Sequence, residues 1–261
     1  MSNTGGADGL RVPTSGVLMY HSVTADRGPD PHGLRVSPAA LESHLRFLRR
    51  VGLRGVSLSA LVRAADRGHA DGLVGLTFDD GYRDFSDVVL PLLQRHGVTA
   101  TVYVVAGGIG RPKPWGTDPR WPLMDADQIR AVAAAGHEVG SHTLTHPRMA
   151  GLDPVRLATE VTSSRRVLQD VLQRAVDGFC YPYGDFDAAA MQAVEEAGYD
   201  HACVTGDYEP GDRFSIPRCY VSPRDTAGHL AVRLARHRAR QVGVVRSLAG
   251  AWAAVPGRRK G

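Results

Sequence analysis

Residues 73–105 read LVGLTFDDGYRDFSDVVLPLLQRHGVTATVYVV, and this stretch decides the fold. Leu73–Phe78 is a short apolar run that ends on two carboxylates and a glycine, Asp79-Asp80-Gly81. A helical pattern follows from about Asp84 to His96 and stops at Gly97, and the β-branched run Thr99–Val105 reads as a strand. Two buried strands joined by a helix form a crossover unit, which pairs its strands in parallel and lays the helix on the sheet.

The same alternation extends in both directions. Upstream, Gly16–His21 (GVLMYH) is a buried strand, and Ser37-Pro38 supplies an N-cap and a first-turn proline for a helix to about Arg50. Downstream, Asp125 with Gln128 makes a capping-box start for a helix ending at Gly136, and Glu138–Ser141 is a short strand. Asp153-Pro154 opens a long helix to about Arg174, and Gly178–Tyr181 is a strand again. Asp187 caps a helix that ends at Gly198; His201–Thr205 and Ile216–Val221 complete the series as extended runs. Six or more such units in one chain favour a barrel over an open sheet, with reactive groups at the C-terminal ends of the strands.

Bulk properties narrow the function. The chain has 261 residues, 43% of them hydrophobic, which suits one large globular domain. No stretch is apolar for long enough to span a bilayer. Met1 to Ser15 is polar and glycine-rich, without a basic region followed by an apolar core, so residues 1–15 are expected to be a disordered tail and the protein cytoplasmic. Cys180, Cys203 and Cys219 form no CxxC clip and read as small buried residues of a reducing compartment. The net charge of +4 is uneven: Arg224–Gly261 carries nine Lys/Arg against one Asp, leaving −4 for the rest. A mildly acidic body argues against a domain built to grip nucleic acid.

Three polar clusters fall at expected strand ends: Asp79-Asp80-Gly81, Ser141-His142-Thr143-Leu144-Thr145-His146, and Tyr181-Pro182-Tyr183-Gly184. An Asp-Asp-Gly turn alone is often only a turn. Two histidines four residues apart are more often surface residues than ligands, though a helical turn would put both imidazoles on one face. Taken together, two imidazoles and one carboxylate can hold a divalent ion with open positions left for water and substrate. Adjacent side chains at a strand end diverge, so the second carboxylate can serve as a general base beside a metal-activated water. A backbone N–H beyond Pro182, that of Tyr183, is available to a developing oxyanion.

On these residues the chain resembles the polysaccharide deacetylases of the NodB-homology type, carbohydrate esterase family four. The resemblance rests on Thr77-Phe78-Asp79-Asp80-Gly81, on Ser141-His142 through His146, and on Tyr181-Pro182-Tyr183-Gly184. Flanking agreement comes from Leu18-Met19-Tyr20-His21-Ser22, Tyr82-Arg83-Asp84 and Ile216-Pro217-Arg218, so the likeness covers roughly Val17 to Val221. It implies a distorted (β/α) barrel of about seven strands. It also implies Asp79 as general base and Asp80, His142 and His146 as ligands of a divalent metal, zinc most often, with cobalt or nickel able to serve.

Two departures stand out. The family's third motif carries an arginine two residues before its proline, and Cys180 occupies that place. Arg218 is the expected substitute partner for the base, in a subgroup with a Tyr-Pro-Tyr-Gly third motif. The family's late catalytic histidine is not visible, which leaves His21, at the end of the first strand, as the candidate general acid.

Ala106–Met124 is a long Pro/Gly-rich loop whose Trp115 and Trp121 could stack on sugar rings or anchor the loop. With Pro182 and Tyr183 they are the expected substrate-binding residues. The domain is expected over residues 16–223, followed by a basic helical extension at 224–261. There Arg233, Arg236, His237 and Arg240 recur at helical spacing, and Leu230, Leu234, Val245, Leu248 and Trp252 supply apolar positions. Such a helix can lie on an anionic membrane surface or simply close the barrel. The leading expectation is removal of an N-acetyl group from an aminosugar in a saccharide or glycoconjugate. The alternatives are an O-acetyl esterase, an imide or formamide hydrolase on the same scaffold, and a non-catalytic sugar-binding domain.

Overall fold

A computed structural model describes residues 16–26, 28–115, 121–206 and 212–241. The strands are β1 (Val17–Tyr20), β2 (Ser22–Val23), β3 (Arg35–Val36), β4 (Arg54–Val56), β5 (Leu73–Phe78), β6 (Thr101–Val104), β7 (Glu138–Ser141), β8 (Gly178–Cys180), β9 (His201–Cys203) and β10 (Cys219–Tyr220). The helices are α1 (Pro38–Arg50), α2 (Leu58–Asp66), α3 (Leu90–His96), α4 (Ala126–Ala134), α5 (Pro154–Ala158), α6 (Ser164–Leu172), α7 (Ala188–Glu196) and α8 (Ala227–Gln241). Wide turns at Phe85–Val89 and Thr159–Ser163 lead into α3 and α6. The expected strand and helix series is therefore present. The tail at 1–15, and Val245, Leu248 and Trp252, lie outside the described residues.

Seven strands run in the order β10-β1-β5-β6-β7-β8-β9, all in parallel register, and β4 lies beside the first half of β5. One short segment joins the two edges. Ile216 bridges Cys203 on β9, with Ile216 N–H donating to Ala202 O and Val204 N–H to Ile216 O, both at 3.0 Å. Three residues later Cys219 stands opposite Leu18 on β1. The extended run expected at Ile216–Val221 is thus split between two partners, and only Cys219–Tyr220 is regular strand. The result is a distorted barrel with a thin seam.

Strands covered on both faces must be apolar almost throughout, which is why β1 (VLMY) is wholly buried. Leu18, Leu76, Val102 and Phe179 are buried together against the surrounding helices. Each such side chain contributes about 1.5–3 kcal/mol relative to exposure. The caps hold as the sequence predicts: Ser37 accepts from Ala40 N–H, Asp125 and Gln128 form a reciprocal capping box, and Asp187 accepts from Ala190 N–H.

Helix α2, which the sequence reading passed over, packs Leu58, Leu61 and Val62 against Val17, Tyr103, Cys180 and Cys203. It closes the barrel at the N-terminal ends of the strands. The C-terminal helix α8 packs on α1 and buries Leu230, Leu234 and His237. The expected basic stripe is therefore broken. His237 points inward, and Arg233 is paired with Asp225 at 3.1 Å, leaving Arg236 and Arg240 on the outer side. Among the described residues no helix is long and apolar enough to cross a membrane.

Candidate metal centre and active site

The site lies where β1, β5, β7, β8 and β10 end. Asp79 follows the last residue of β5 and keeps the strand's direction into the barrel, whereas Asp80 takes a left-handed backbone at φ 73°. That single reversal sends two adjacent carboxylates to different partners.

Asp79 meets Arg218. Arg218 Nη1 donates to Asp79 Oδ1 at 2.6 Å and Nη2 to Oδ2 at 2.7 Å, a two-pronged pair whose members are 0% and 3% exposed. The guanidinium also donates to Thr77 Oγ1 at 3.0 Å, Val204 O at 3.1 Å and Cys180 Sγ at 3.0 Å. Cys180 therefore leaves room for an arginine that arrives from the barrel seam. Burial alone would push the Asp79 carboxyl up, but the Arg218 charge and hydrogen bonds hold it below the usual carboxylate range.

Asp80 meets the histidines. Its Oδ1 lies 3.5 Å from His142 Nε2 and 3.3 Å from His146 Nε2, and has no hydrogen-bond partner among the described residues. Those separations match ligands sharing one zinc-sized ion, which sit about 3–3.5 Å apart when each bond is ~2.0–2.2 Å. His142 Nδ1 lies 2.8 Å from the carbonyl of Cys180, so an N–H there donates to the backbone and leaves Nε2 with its lone pair facing Asp80. Burial, then the neighbouring His146, pushes His142 down to about 4, which keeps it neutral. Burial works against ionised Asp80, but the facing histidines hold its carboxyl far below the usual range. A buried carboxylate oxygen without a partner, facing two imidazole nitrogens, fits a divalent cation.

The histidines do not meet through a helical turn. Thr143 and His146 both have positive φ, 67° and 64°, and Thr143 Oγ1 accepts from His146 N–H at 2.9 Å. Glu160 accepts from Leu144 N–H and Thr145 N–H, pinning the loop from below. Convergence is a property of this folded loop, and the helical geometry considered from the spacing is corrected accordingly.

The remaining expected residues separate into two groups. His21 sits beside Asp79, with Nε2 4.0 Å from Asp79 Oδ2 and Nδ1 without a hydrogen-bond partner among the described residues. Tyr183 is left-handed (φ 59°), half exposed and lines the same cavity of about 390 Å³. Trp115 lines it too, stacked on the His146 ring at 4.6 Å. Trp121 and Pro182 do not line it. Trp121 is buried beneath the loop, edge-on to Tyr82 at 5.2 Å and under the Arg35 guanidinium at 4.1 Å, so it anchors the loop. Pro182 is buried and starts the turn that presents Tyr183. Leu34, Arg148, Thr205 and Tyr220 line the cavity without having been singled out from the sequence. Tyr220 had a signal, since it stands two residues after Arg218 in the same extended run.

A family model described as polysaccharide deacetylase matches residues 66–202, more than half of the chain. The chain belongs to the polysaccharide deacetylase family. It is 26% identical over 215 residues to the YxkH protein of Bacillus subtilis, covering 79% of this chain and 71% of that one. Against the chitooligosaccharide deacetylase of a Bradyrhizobium strain, identity is 30% over 141 residues, covering 53% of this chain and 58% of the relative. Among solved structures, the de-N-acetylase of Aggregatibacter actinomycetemcomitans superposes with a TM-score of 0.72 at 24% identity, covering 84% of this chain and 98% of that one. The last likeness supports the barrel fold. In this chain Cys180 stands two residues before Pro182, and Arg218 is the residue that pairs with Asp79.

Proposed function

We propose that this protein is a metal-dependent hydrolase that removes an N-acetyl group from an aminosugar. The observation that carries the reading is the pairing of two unlike carboxylates in one cavity. Asp80 faces two histidine nitrogens, and Asp79 is gripped by Arg218. Asp80, His142 and His146 would hold the metal, and a set of two imidazoles and a carboxylate suits zinc, cobalt or nickel. When bound, such an ion would supply Lewis acidity toward an acetyl carbonyl and lower the pKa of water toward neutral.

The protein's own groups supply the rest. Asp79, kept ionised by Arg218, accepts the proton of the attacking water. The Tyr183 backbone N–H, in the turn after Pro182, supplies the oxyanion donor. Water's oxygen joins the acetyl carbon, the C–N bond breaks, acetate departs, and the nitrogen takes a proton. In this reading His21, whose Nε2 lies 4.0 Å from Asp79 Oδ2, gives that proton. Trp115 and Tyr183 supply ring surfaces for a sugar.

The test is acetate release by metal-reconstituted protein from N-acetylated saccharides, with O-acetylated sugars in parallel. The reading predicts acetate with a stoichiometric free amine from the N-acetyl set and loss of both with Asp79→Asn. Release confined to O-acetyl substrates would replace it with an esterase.

A further inference from the structure

The two histidines of the candidate metal centre are held by different means. His142 follows β7 directly, and its Nδ1 lies 2.8 Å from the Cys180 carbonyl on the next strand, so a hydrogen bond of its own fixes the ring. His146 has no such bond: its Nδ1 is buried without a hydrogen-bond partner among the described residues. Its ring lies against Trp115 and Tyr183, with centres 4.6 and 4.7 Å away. The direction of its Nε2 therefore depends on the backbone that carries it. Thr143 and His146 are both left-handed there, at φ 67° and 64°, a conformation that such residues keep only where neighbouring groups hold it.

Those groups come from two sides. Ala106 N–H donates to Thr143 O at 3.0 Å and Gly107 N–H to Leu144 O at 2.8 Å, which takes up the loop's carbonyls. The approach is so close that a Cβ on Gly107 would stand 2.6 Å from Leu144 O. Glu160 takes up the amides. Its Oε2 accepts from Leu144 N–H at 3.0 Å and from Thr145 N–H at 2.8 Å, and its Oε1 accepts from the Thr145 hydroxyl at 2.5 Å. All three bonds go to the two residues before His146. Four residues on from Glu160, Ser164 Oγ accepts from Ser141 Oγ at 2.9 Å, so the same helical segment also grips the residue before His142. Glu160 is 3% exposed and stands in the wide turn Thr159–Ser163, and single widened turns within helices occur frequently at functional sites.

We propose that Glu160 is a positioning residue for the metal centre: by holding the amides of Leu144 and Thr145 it keeps His146 Nε2 turned toward Asp80, and so sets the affinity for the ion. The inference rests on the reading of Asp80, His142 and His146 as metal ligands. Glu160 acts through the loop backbone, so the reach and placement of its oxygens decide the effect, and its charge does not.

The test is zinc affinity, read by competition with a chromophoric chelator on the metal-free full chain, for wild type, Glu160→Asp and Glu160→Gln. Aspartate keeps the carboxylate but is one methylene shorter and cannot hold the loop in place. Glutamine keeps the length: its amide oxygen in the place of Oε2 accepts from both N–H groups, and its NH2 donates to Thr145 Oγ1. The proposal predicts zinc binding about 10–100-fold weaker in Glu160→Asp, the range for groups that orient metal ligands, and near wild type in Glu160→Gln. The visible absorption of the cobalt-loaded protein should change in Glu160→Asp and stay as in wild type in Glu160→Gln. Wild-type affinity with an unchanged cobalt spectrum in Glu160→Asp would overturn the proposal. An equal loss in Glu160→Gln would overturn it too, assigning the effect to charge. Melts of the metal-free proteins separate the remaining role: a lower melting temperature with unchanged zinc affinity would make Glu160 a residue of the fold alone. Wild type that holds no zinc would remove the metal reading itself, and the proposal with it.

Discussion

At the N-terminal ends of the strands, partly buried Glu138 lies beside fully buried His201; at the C-terminal ends, Asp79 and Arg218 are both buried. Glu138 Oε2 accepts from Ser59 N–H at 2.8 Å and Thr101 Oγ1 at 2.6 Å, and its Oε1 accepts from Ser59 Oγ at 2.6 Å. His201 places Nε2 3.4 Å from Glu138 and Nδ1 3.6 Å from Asp200. Gly178 is required there, because a Cβ would stand 2.7 Å from Glu138 Oε1 and 2.9 Å from His201 Nε2. The first turn of α2 thus delivers the Ser59 N–H to the Glu138 carboxylate and the Leu58 N–H to Thr101 Oγ1. At the C-terminal end Asp79 and Arg218 are hydrogen-bonded to each other, and beside them Asp80 Oδ1 is left without a hydrogen-bond partner among the described residues. The carboxylates separate the two ends: both Glu138 oxygens accept hydrogen bonds, whereas Asp80 Oδ1 accepts none among the described residues. A carboxylate with both oxygens occupied holds the fold, and one with an oxygen left over beside two imidazoles points to chemistry.

Substitutions can break that comparison. The largest expected effect is at the base: Asp79→Asn should lower kcat by about 10²–10⁴-fold. Steady-state acetate release checks it, with thermal melts showing how much stability is lost as Arg218 loses its counter-charge. Arg218→Ala should cost about 3–5 kcal/mol by stranding a buried carboxylate. Because Arg218 holds the Asp79 carboxyl down, its removal raises that pKa, so the acid limb of the kcat/KM profile should move to higher pH. An unmoved limb would show that Asp79 does not titrate as the base.

At the N-terminal end the signature is reversed. Glu138→Gln should destabilise by about 3–5 kcal/mol in urea unfolding, while kcat/KM of the folded fraction stays near wild type. Burial alone would lower His201, but the Asp200 and Glu138 carboxylates raise it to about 9; burial would raise Glu138, but His201, Ser59 and Thr101 bring it down to about 2. A raised histidine contributes its stability below its unfolded pKa, about 6.5, and loses it as pH climbs through about 9. A lowered carboxyl contributes above about 4.5 and loses it as pH falls toward about 2. Both contributions are whole between about pH 4.5 and 6.5, so unfolding free energy should decline above that window. In Glu138→Gln the decline should shrink, and a decline of unchanged size would remove the pair as its source. The smallest effect is expected in the wall: Trp115→Ala should raise KM several-fold with kcat little changed, whereas Trp121→Ala should act on stability, by about 3–5 kcal/mol.

The sequence showed one end of this molecule better than the other. Leu73–Phe78 and Glu138–Ser141 match their strands residue for residue, and Ser37, Asp125 and Asp187 cap the helices they were expected to cap. These features depend on neighbours a few residues away. Helix α2 escaped because it is short, follows a three-residue strand containing Gly55, and buries Leu58, Ser59, Leu61, Val62 and Ala65 around much of its circumference. The Ser57 cap was its one legible signal. The candidate site residues were singled out by their clustering at strand ends, but their convergence was not legible. It depends on left-handed Asp80, Thr143 and His146, which residue type alone does not dictate. Arg218 reaches Asp79 across 139 residues of sequence and could be anticipated only from the gap that Cys180 leaves. Glu138 and His201 gave no sign of each other, because each is an ordinary polar residue at the start of a strand.

The central claim is that the leftover polar atoms at the catalytic end form a metal site. Metal analysis after reconstitution with zinc and exhaustive dialysis tests it most directly, on wild type, His146→Ala and Glu138→Gln. The account predicts one ion per chain in wild type and in Glu138→Gln, and well under one in His146→Ala. No retained ion in wild type, or equal retention in His146→Ala, would contradict it.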